Sequence, residues 1–469
     1  MSLNIALGYA LSGLNATQAQ LQVLAGNIAN AQTPGYSEET LPQTSDPLTS
    51  GGAGVVTGVI QRITDSSLQG ELLAQTTLSG AASATNTYQQ QVQNLFGQVT
   101  SDNTITGALN NFTSAMQTVA TTPQDPTAQA DAVNAGQQLA TQLNDFSSGI
   151  QNLRQEADSQ IGTDVGIVNT DLNNIGQLNA QIAKLQSLGE STASLEDQRD
   201  QQLQTIAQYV GVRSYTTSNG MMAVTTTSGQ SLVDGTNVQQ FSYTPSGTVT
   251  ASTTLSPLTL GGVDVTSNTT TGEIGALLQM ENTTLPNVTA QLNQVTNNLF
   301  NASSDANLQT TNSGLNATND ANNFFANVDI ANGADNAATI EVNPSLVANP
   351  GLLDTGTSGT DPTITATLSQ NLSSPTSFAA AGGMAAITTT LSSYVAQIVG
   401  AASTAASNAT SNSTDQSSLL SQMQSQYSSS VGVNLDTELS QLVVYQNAYS
   451  ASARVISTIQ TMFDSLMNS

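Results

Sequence analysis

The chain has 469 residues and carries 32 acidic against 6 basic side chains, a formal net charge of -26. It contains no cysteine, histidine or tryptophan, which excludes disulfide staples, thiol nucleophiles, cysteine–histidine zinc sites and histidine-based triads. The six cations, Arg62, Arg154, Lys184, Arg199, Arg213 and Arg454, never cluster, so neither nucleic acid nor an anionic membrane surface is an expected partner.

The acids are scattered among amides and hydroxyls, and none forms a pair in a defined motif. No catalytic residue, metal ligand or cofactor is expected. No stretch approaches the roughly 18 apolar residues of a membrane span. The opening MSLNIALGYALSGL lacks a basic region and a continuous apolar run, so it does not read as a cleavable signal. The expected location is the cytoplasm, or outside the cell by a route that reads no such signal.

Residues 3–31 read as one helix with an apolar seam at Leu3, Leu7, Ala10, Leu14, Thr17, Leu21, Leu24, Ile28 and Ala31. The spacing alternates four and three, the period at which a helix keeps a seam against a neighbouring helix. Gly8, Gly13 and Gly26 each cost roughly 1 kcal/mol relative to alanine. The helix is therefore expected to fray alone and to form once partnered. Thr33-Pro34-Gly35-Tyr36 stops it, since Pro34 biases Thr33 away from the α region and Gly35 supplies turn freedom.

A Gly-, Ser-, Thr- and Pro-rich loop is expected to about Gly58. Helical spacing resumes over Ile63–Gln75 and Tyr88–Ala120, breaks at Thr122-Pro123 and Asp125-Pro126, and continues from Ala128 to about Tyr209. After Gly211 the period becomes two. Val212–Thr216, a Ser218-Asn219-Gly220 turn, Met221–Thr226 and Ser231–Val233 read as strands, and 236–270 stays strand-like. Helix returns over Gly275–Asn301. The next stretch to Thr376 reads as polar, with short β runs at Thr339–Val342 and Thr363–Thr367. Ser377–Ala402 reads as a buried helix, followed by the Ser-, Ala- and Gln-rich 403–430 with apolar spacing at Leu419, Leu420, Met423 and Tyr427.

Gly432 separates this from a last helix that Asn434 can cap, with Asp436 and Glu438 complementing its dipole. Its seam is Leu435, Leu439, Leu442, Gln446, Tyr449, Ala453, Ile456, Gln460, Phe463 and Met467. The expected architecture is mainly α with β-rich insertions. Residues 1–45 and 430–469 form a terminal coiled coil. Residues 46–210, 271–301 and 377–429 form a helical bundle, 211–270 a β-rich subdomain, and 302–376 an outer β-rich insertion. One such stripe alone would be ordinary core; two at opposite ends point to assembly.

Ala25-Gly26-Asn27-Ile28 followed by Ala29-Asn30-Ala31-Gln32-Thr33-Pro34-Gly35-Tyr36 resembles the N-terminal signature of bacterial flagellar axial proteins, the rod, hook and hook-associated family. Gly432-Val433-Asn434-Leu435-Asp436, Glu438-Leu439, Tyr445-Gln446, Tyr449, Ala451–Ile456, Met462-Phe463 and Leu466 resemble the close of the same family. Gly54–Leu68, the Leu195-Glu196-Asp197-Gln198-Arg199-Asp200 helix with Leu203, and Gly229–Val233 are similar to segments of its hook-associated members. Two departures stand out: Ala302–Gly314 lacks the histidine that relatives often carry, and Glu38-Glu39 replaces a common basic residue.

The resemblance implies an extracellular structural subunit joining hook to filament, exported without a cleavable signal and assembled through both terminal helices. It adds Asn30, Pro34, Gly35, Tyr36, Asn434, Tyr445 and Leu466 to the stripe as interface residues. The implied partners are copies of itself, the hook protein, the second junction protein and an export chaperone. Another axial protein (hook, distal rod or second junction protein) is the nearest alternative; a secreted adhesin or carbohydrate-active protein is the remote one. For Asp197-Gln198-Arg199-Asp200 the expected contact is a surface or intrachain ion pair, since Asp and Arg within one helical turn make such pairs routinely.

Overall fold

The structure is a computed structural model that describes residues 3–45, 54–97, 104–310, 320–330, 335–356 and 359–467. Parts of the expected loop before Gly58, of the expected helix Tyr88–Ala120 and of the 302–376 insertion lie outside the described residues.

The two end helices pair. α1 (Leu3–Asn30) packs along α12 (Leu435–Met467). Asn27 meets Glu438, and a Cβ on Gly13 would lie 3.8 Å from Ser452, so the helices run antiparallel. α1 ends where the sequence ends it, with Thr33 N–H bonded to the Asn30 carbonyl and Gly35 at φ 77. An arm of short strands follows and lies on α1: β1 (Glu39–Thr40), β2 (Gln43–Ser45), β3 (Val55–Thr57) and β4 (Gln61–Arg62), paired β1–β4 and β2–β3. Gln20 donates to the Leu41 carbonyl and Ser12 accepts from the Val55 N–H, fastening the arm to the helix. The expected loop is thus partly strand; two to three residues per strand leave too little alternation to read.

The body is helical: α2 (Ser66–Phe96), α3 (Ile105–Thr121), α4 (Pro126–Leu188) and α5 (Ala193–Tyr209). The expected gap at 76–87 is absent, because α2 runs through it and buries Thr76, Thr77, Gly80, Ala82 and Ala84, small residues that carry little periodic signal. The break falls instead at Gly97, φ 73. α4 is 63 residues long, started by the Asp125 cap with Pro126 in its first turn and stopped by left-handed Gly189. It is the spine of the core: Leu139, Leu143, Ile150, Ile161, Val168, Leu172 and Ile175 are each at most 1% exposed. The rings of Phe112, Phe324 and Phe325 stack edge-on beside it, and a Cβ on Gly136 would come 2.5 Å from the Phe324 ring.

A four-stranded meander, β5 (Val212–Thr216), β6 (Met222–Thr226), β7 (Ser231–Asp234) and β8 (Asn237–Val238), packs on α4 where the period changes. Its first turn uses Gly220 at φ 75. A second small sheet joins β9 (Phe241–Ser242), β10 (Thr259–Leu260) and β11 (Val263–Asp264). Two asparagines of α4 bind strand backbone. Asn179 donates to the Met222 and Gly235 carbonyls and accepts from the Met222 N–H; Asn169 exchanges two bonds with Phe241. Buried amides so paired cost little, whereas unpaired they would cost roughly 1–3 kcal/mol.

The helix expected at Gly275–Asn301 is α6 (Gly272–Gln279), a π turn Met280–Thr284 and α7 (Leu285–Ala302). Pro286 at the start of α7 lacks the N–H that an unbroken helix would require. Over 302–376 lie β12 (Phe325–Ala326), α8 (Asn336–Thr339), β13 (Glu341–Val342), α9 (Pro344–Ala348), β14 (Thr355–Gly356), β15 (Gly359–Thr360) and α10 (Thr363–Ser373). Thr363–Thr367, read as strand, is helix. Ile364, Thr365, Leu368 and Leu372 supply the buried face that threonine content had masked. The apolar residues of this stretch join the same core as the helices. Ser377–Ala402 is not one helix either. β16 (Thr376–Phe378) and β17 (Ile387–Thr389) form a hairpin around Gly382 and Gly383, both at positive φ, and α11 (Leu391–Val431) begins only after the Thr390 cap. α11 lies along α2.

Candidate assembly interface

The predicted seam residues of α1 face inward. Leu24 is 3% exposed, and Leu3, Leu7, Leu14, Leu21 and Ile28 are partly buried. On α12 the seam is shifted. Residues turned toward α1 are Glu438, Leu442, Tyr445, Ser452, Ile456, Ile459 and Phe463, still at helical spacing. Leu442, Tyr445, Ile456 and Phe463 were legible; Glu438 and Ser452 were not, because polar residues drop out of an apolar count.

The remaining predicted residues of α12 are open to solvent: Leu435 39%, Leu439 50%, Tyr449 38% and Leu466 66% exposed. Val443, Val444, Val455 and Met462, not among the predicted interface residues, are also exposed. At about 100° per residue these fall on two flanks. Leu435, Leu439 and Val443 lie on one side of the inward seam, Val444, Val455, Met462 and Leu466 on the other. The outermost strip between them is polar, with Asp436, Asn447 and Arg454. α12 therefore has one apolar face covered by α1 and two left bare, more than solvation of scattered surface residues explains.

Behind this pair lies a joint to the body, built from the Pro34-Gly35-Tyr36 turn, the arm and α5. The Tyr36 hydroxyl donates to Asn27 Oδ1 at 2.8 Å, and Asn27 Nδ2 donates to the Glu39 carbonyl and to Glu438 Oε1. Ser37 donates twice to Asp197, from its backbone N–H and its hydroxyl. Gln201 donates to the Pro34 carbonyl; the positive φ of Gly35 favours glycine, and a Cβ there would have to push aside the Gln201 side chain. Pro34 itself is exposed, and Asn30 donates back to the Gly26 carbonyl within α1. Asn434 accepts from the Asp436 and Thr437 N–H groups, the expected cap of α12.

The centre of the joint is Arg62 of β4. Its Nε meets Glu196 at 2.9 Å, and Nη1 meets Asp197 at 2.9 Å and Asp200 at 2.6 Å. The intrachain ion pair expected of this segment is made by Asp197 and Asp200 with Arg62 and not with Arg199. Arg199 points the other way, 1% exposed, and donates to Asn179 Oδ1 and the Gly220 carbonyl. The cation came from a residue 134 or more positions away, which local spacing does not show. Burial works to lower the Arg62 pKa, but Asp200, Asp197 and Glu196 outweigh it and hold the guanidinium charged. Burial pushes the Asp200 carboxyl up, and Arg62 at 2.6 Å offsets part of that rise. Burial also raises Glu38, Glu39 and Glu438, and pushes the Tyr427 hydroxyl up to about 12. Among the described residues no group of three or more carboxylates is placed to hold a metal ion, and no helix is long and apolar enough to cross a membrane.

Three families match segments of the chain. "Flagellar hook-associated protein FlgK helical domain" matches 89–325, just over half of the chain. "Flagella basal body rod protein" matches 7–36, which contains most of α1 and the turn after it. "Flagellar basal body rod FlgEFG protein C-terminal" matches 424–469, which contains α12. Flagellar hook-associated protein 1 of Escherichia coli (strain K12) is 27% identical over 61% of this chain and 54% of its own. The protein of the same name from Bacillus subtilis (strain 168) is 28% identical over 44% of this chain and 43% of its own. The chain thus spans about half the length of the curated relatives it matches. A solved flagellar hook junction protein FlgK from Burkholderia pseudomallei is 28% identical, with a TM-score of 0.46 over 55% of this chain and 46% of that one. With the helical-domain match running across the body, and rod-protein matches on the two helices that pair at its base, the chain belongs to the flagellar hook-associated protein FlgK family.

Proposed function

We propose that the chain is a structural subunit of the bacterial flagellum that joins hook to filament and assembles through α1 and α12. The observation that supports this reading is the bare apolar surface of α12. One face is covered within the chain, and two flanks, led by Leu439 and Val444, are left for neighbours. Burying a Leu or Val side chain stabilises by roughly 1.5–3 kcal/mol, so a few such contacts per subunit hold a lattice. The flanks lie on different sides of one helix. The contacts they make are therefore heterologous, and repeat into a ring or a helical array rather than closing as a twofold dimer.

The partners in this reading are further copies of the chain and the adjoining axial proteins, the hook protein on one side and the second junction protein on the other. Leu3, Leu7, Leu14, Leu21, Leu24 and Ile28 hold the pair together. Leu435, Leu439, Tyr449 and Leu466 meet neighbours. Asn30, Pro34, Gly35 and Tyr36 set the angle at which the pair leaves the body. The chain travels to the cell exterior, escorted by a chaperone that covers α12 until assembly, and it performs no chemistry. Electron microscopy of a deletion strain tests the reading. The expected result is hooks without filaments, with flagellin lost to the medium; normal filaments in that strain would overturn it.

A further inference from the structure

The connection between the terminal pair and the body is unlike either of them. The contacts that cross it are polar: Arg62 to three carboxylates of α5, Ser37 to Asp197, Gln201 to the Pro34 carbonyl, and the Glu38 N–H to the Val431 carbonyl. Open clefts surround them. One of about 270 Å³ lies between the Pro34–Ser37 turn and the end of α11. A second of about 400 Å³ lies between the arm and the start of α5, and a third of about 370 Å³ between α2 and β5. Arg62 lines all three. A close-packed interior resists displacement, whereas empty volume on several sides permits it.

We propose that this joint is a hinge and that Arg62 is its pin, fixing the angle between the α1–α12 pair and the body and able to release it. Two features support release as a defined second state. Arg62 is 9% exposed at the side chain and its three partners 21%, 8% and 13%, so the cluster is dry enough to be strong and close enough to water to open. Without its cation, Glu196, Asp197 and Asp200 repel one another across one turn of α5, while Glu38, Glu39 and Glu438 stand on the opposite side; the residual charge drives the two parts away from each other. The apolar core of the body contains no residue of the pin, so the body stays folded when it opens. The inference concerns the chain by itself and does not require the lattice reading to hold.

The chain has no cysteine, so two spin labels report the angle directly. Asn447→Cys on α12 and Gln137→Cys on α4 are both exposed positions. The full chain is expected to give one narrow distance distribution. Arg62→Met is expected to at least double its width with helix content unchanged. Arg213→Met, at an exposed cation lining one of the same clefts, is expected to leave it as it was. Should Arg62→Met lose helix content, Glu196→Gln, the most exposed of the three acids, carries the same test with a smaller broadening. A distribution as narrow as the parent's in the folded variant overturns the hinge.

Discussion

The body and the terminal pair are both helical, yet they treat their apolar residues in opposite ways. α4 sends its seam into a core closed by α3, α5, α7 and two small sheets, and its large apolar side chains are almost all hidden. α12 also carries an apolar seam, but only Glu438 and Ile459 along its 33 residues are buried. The difference is one of available partners. α4 finds them within the chain; among the described residues α12 packs chiefly on α1. An amphipathic seam in the sequence records that a helix needs a neighbour, and says nothing about whether the neighbour is in the same molecule.

The sharpest way to break this contrast is to charge the bare flanks. Leu439→Asp and Val444→Asp each sit on an exposed flank of α12, so each is expected to leave the unfolding free energy of the purified chain, read by urea titration, within about 0.5 kcal/mol of the parent while abolishing motility. If only one of the two abolishes motility, the lattice uses one flank. A motile double variant would remove the assembly reading altogether. The same chemistry inside the body has the converse outcome. Leu143 is 0% exposed, and Leu143→Ala is expected to cost about 2–5 kcal/mol in denaturant unfolding, the range for emptying a packed leucine site.

The body also carries charge where the pair carries apolar surface. Asp164 and Glu281 are 0% exposed, and burial pushes both carboxyls up to about 7, with Asp158 adding to the rise at Glu281. In the unfolded chain such groups titrate near 4. Between those limits the folded state binds protons that the unfolded state does not, so stability rises as pH falls from 8 to about 5.5. The gain is on the order of 2 kcal/mol per group and is absent above pH 8, where both states are ionised. Thermal unfolding across that range measures it. Asp164→Asn is expected to remove its share of the slope, and an unchanged slope would mean that a cation reaches the site in solution.

The legible part of the molecule was whatever repeats. The paired seams, the change of period after Gly211, the Asp125-Pro126 start and the Asn434 cap are all local patterns. What escaped was set by distance or by small residues. The twelve residues after Gln75 gave no apolar period because Thr77 and Gly80 pack by being small, against the Ala207 and Gln208 carbonyls. Arg62 lies in the Gly54–Leu68 segment that resembles the family, but its partners were not legible, since its acids lie on α5 and are brought to it by the fold. The outward displacement of Leu435 and Leu439 depended on Glu438, a polar side chain that Asn27 reaches across the pair.

The smallest expected effect separates helix formation from assembly. Gly8, Gly13 and Gly26 weaken α1, and each could be replaced by alanine without a clash inside the chain: nothing lies within 4 Å of a Cβ at Gly8 or Gly26, and at Gly13 only Ser452 Oγ at 3.8 Å. Each Gly→Ala substitution is expected to stabilise the helix by about 1 kcal/mol, read as slower amide exchange along α1. Gly13 faces α12, so Gly13→Ala should stabilise the pair and leave assembly intact. Gly8 and Gly26 face nothing in the single chain. If Gly8→Ala or Gly26→Ala slows exchange yet impairs motility, the missing side chain was keeping room for a neighbour's backbone. If both remain fully motile, the glycines serve only to keep α1 weak before it is partnered.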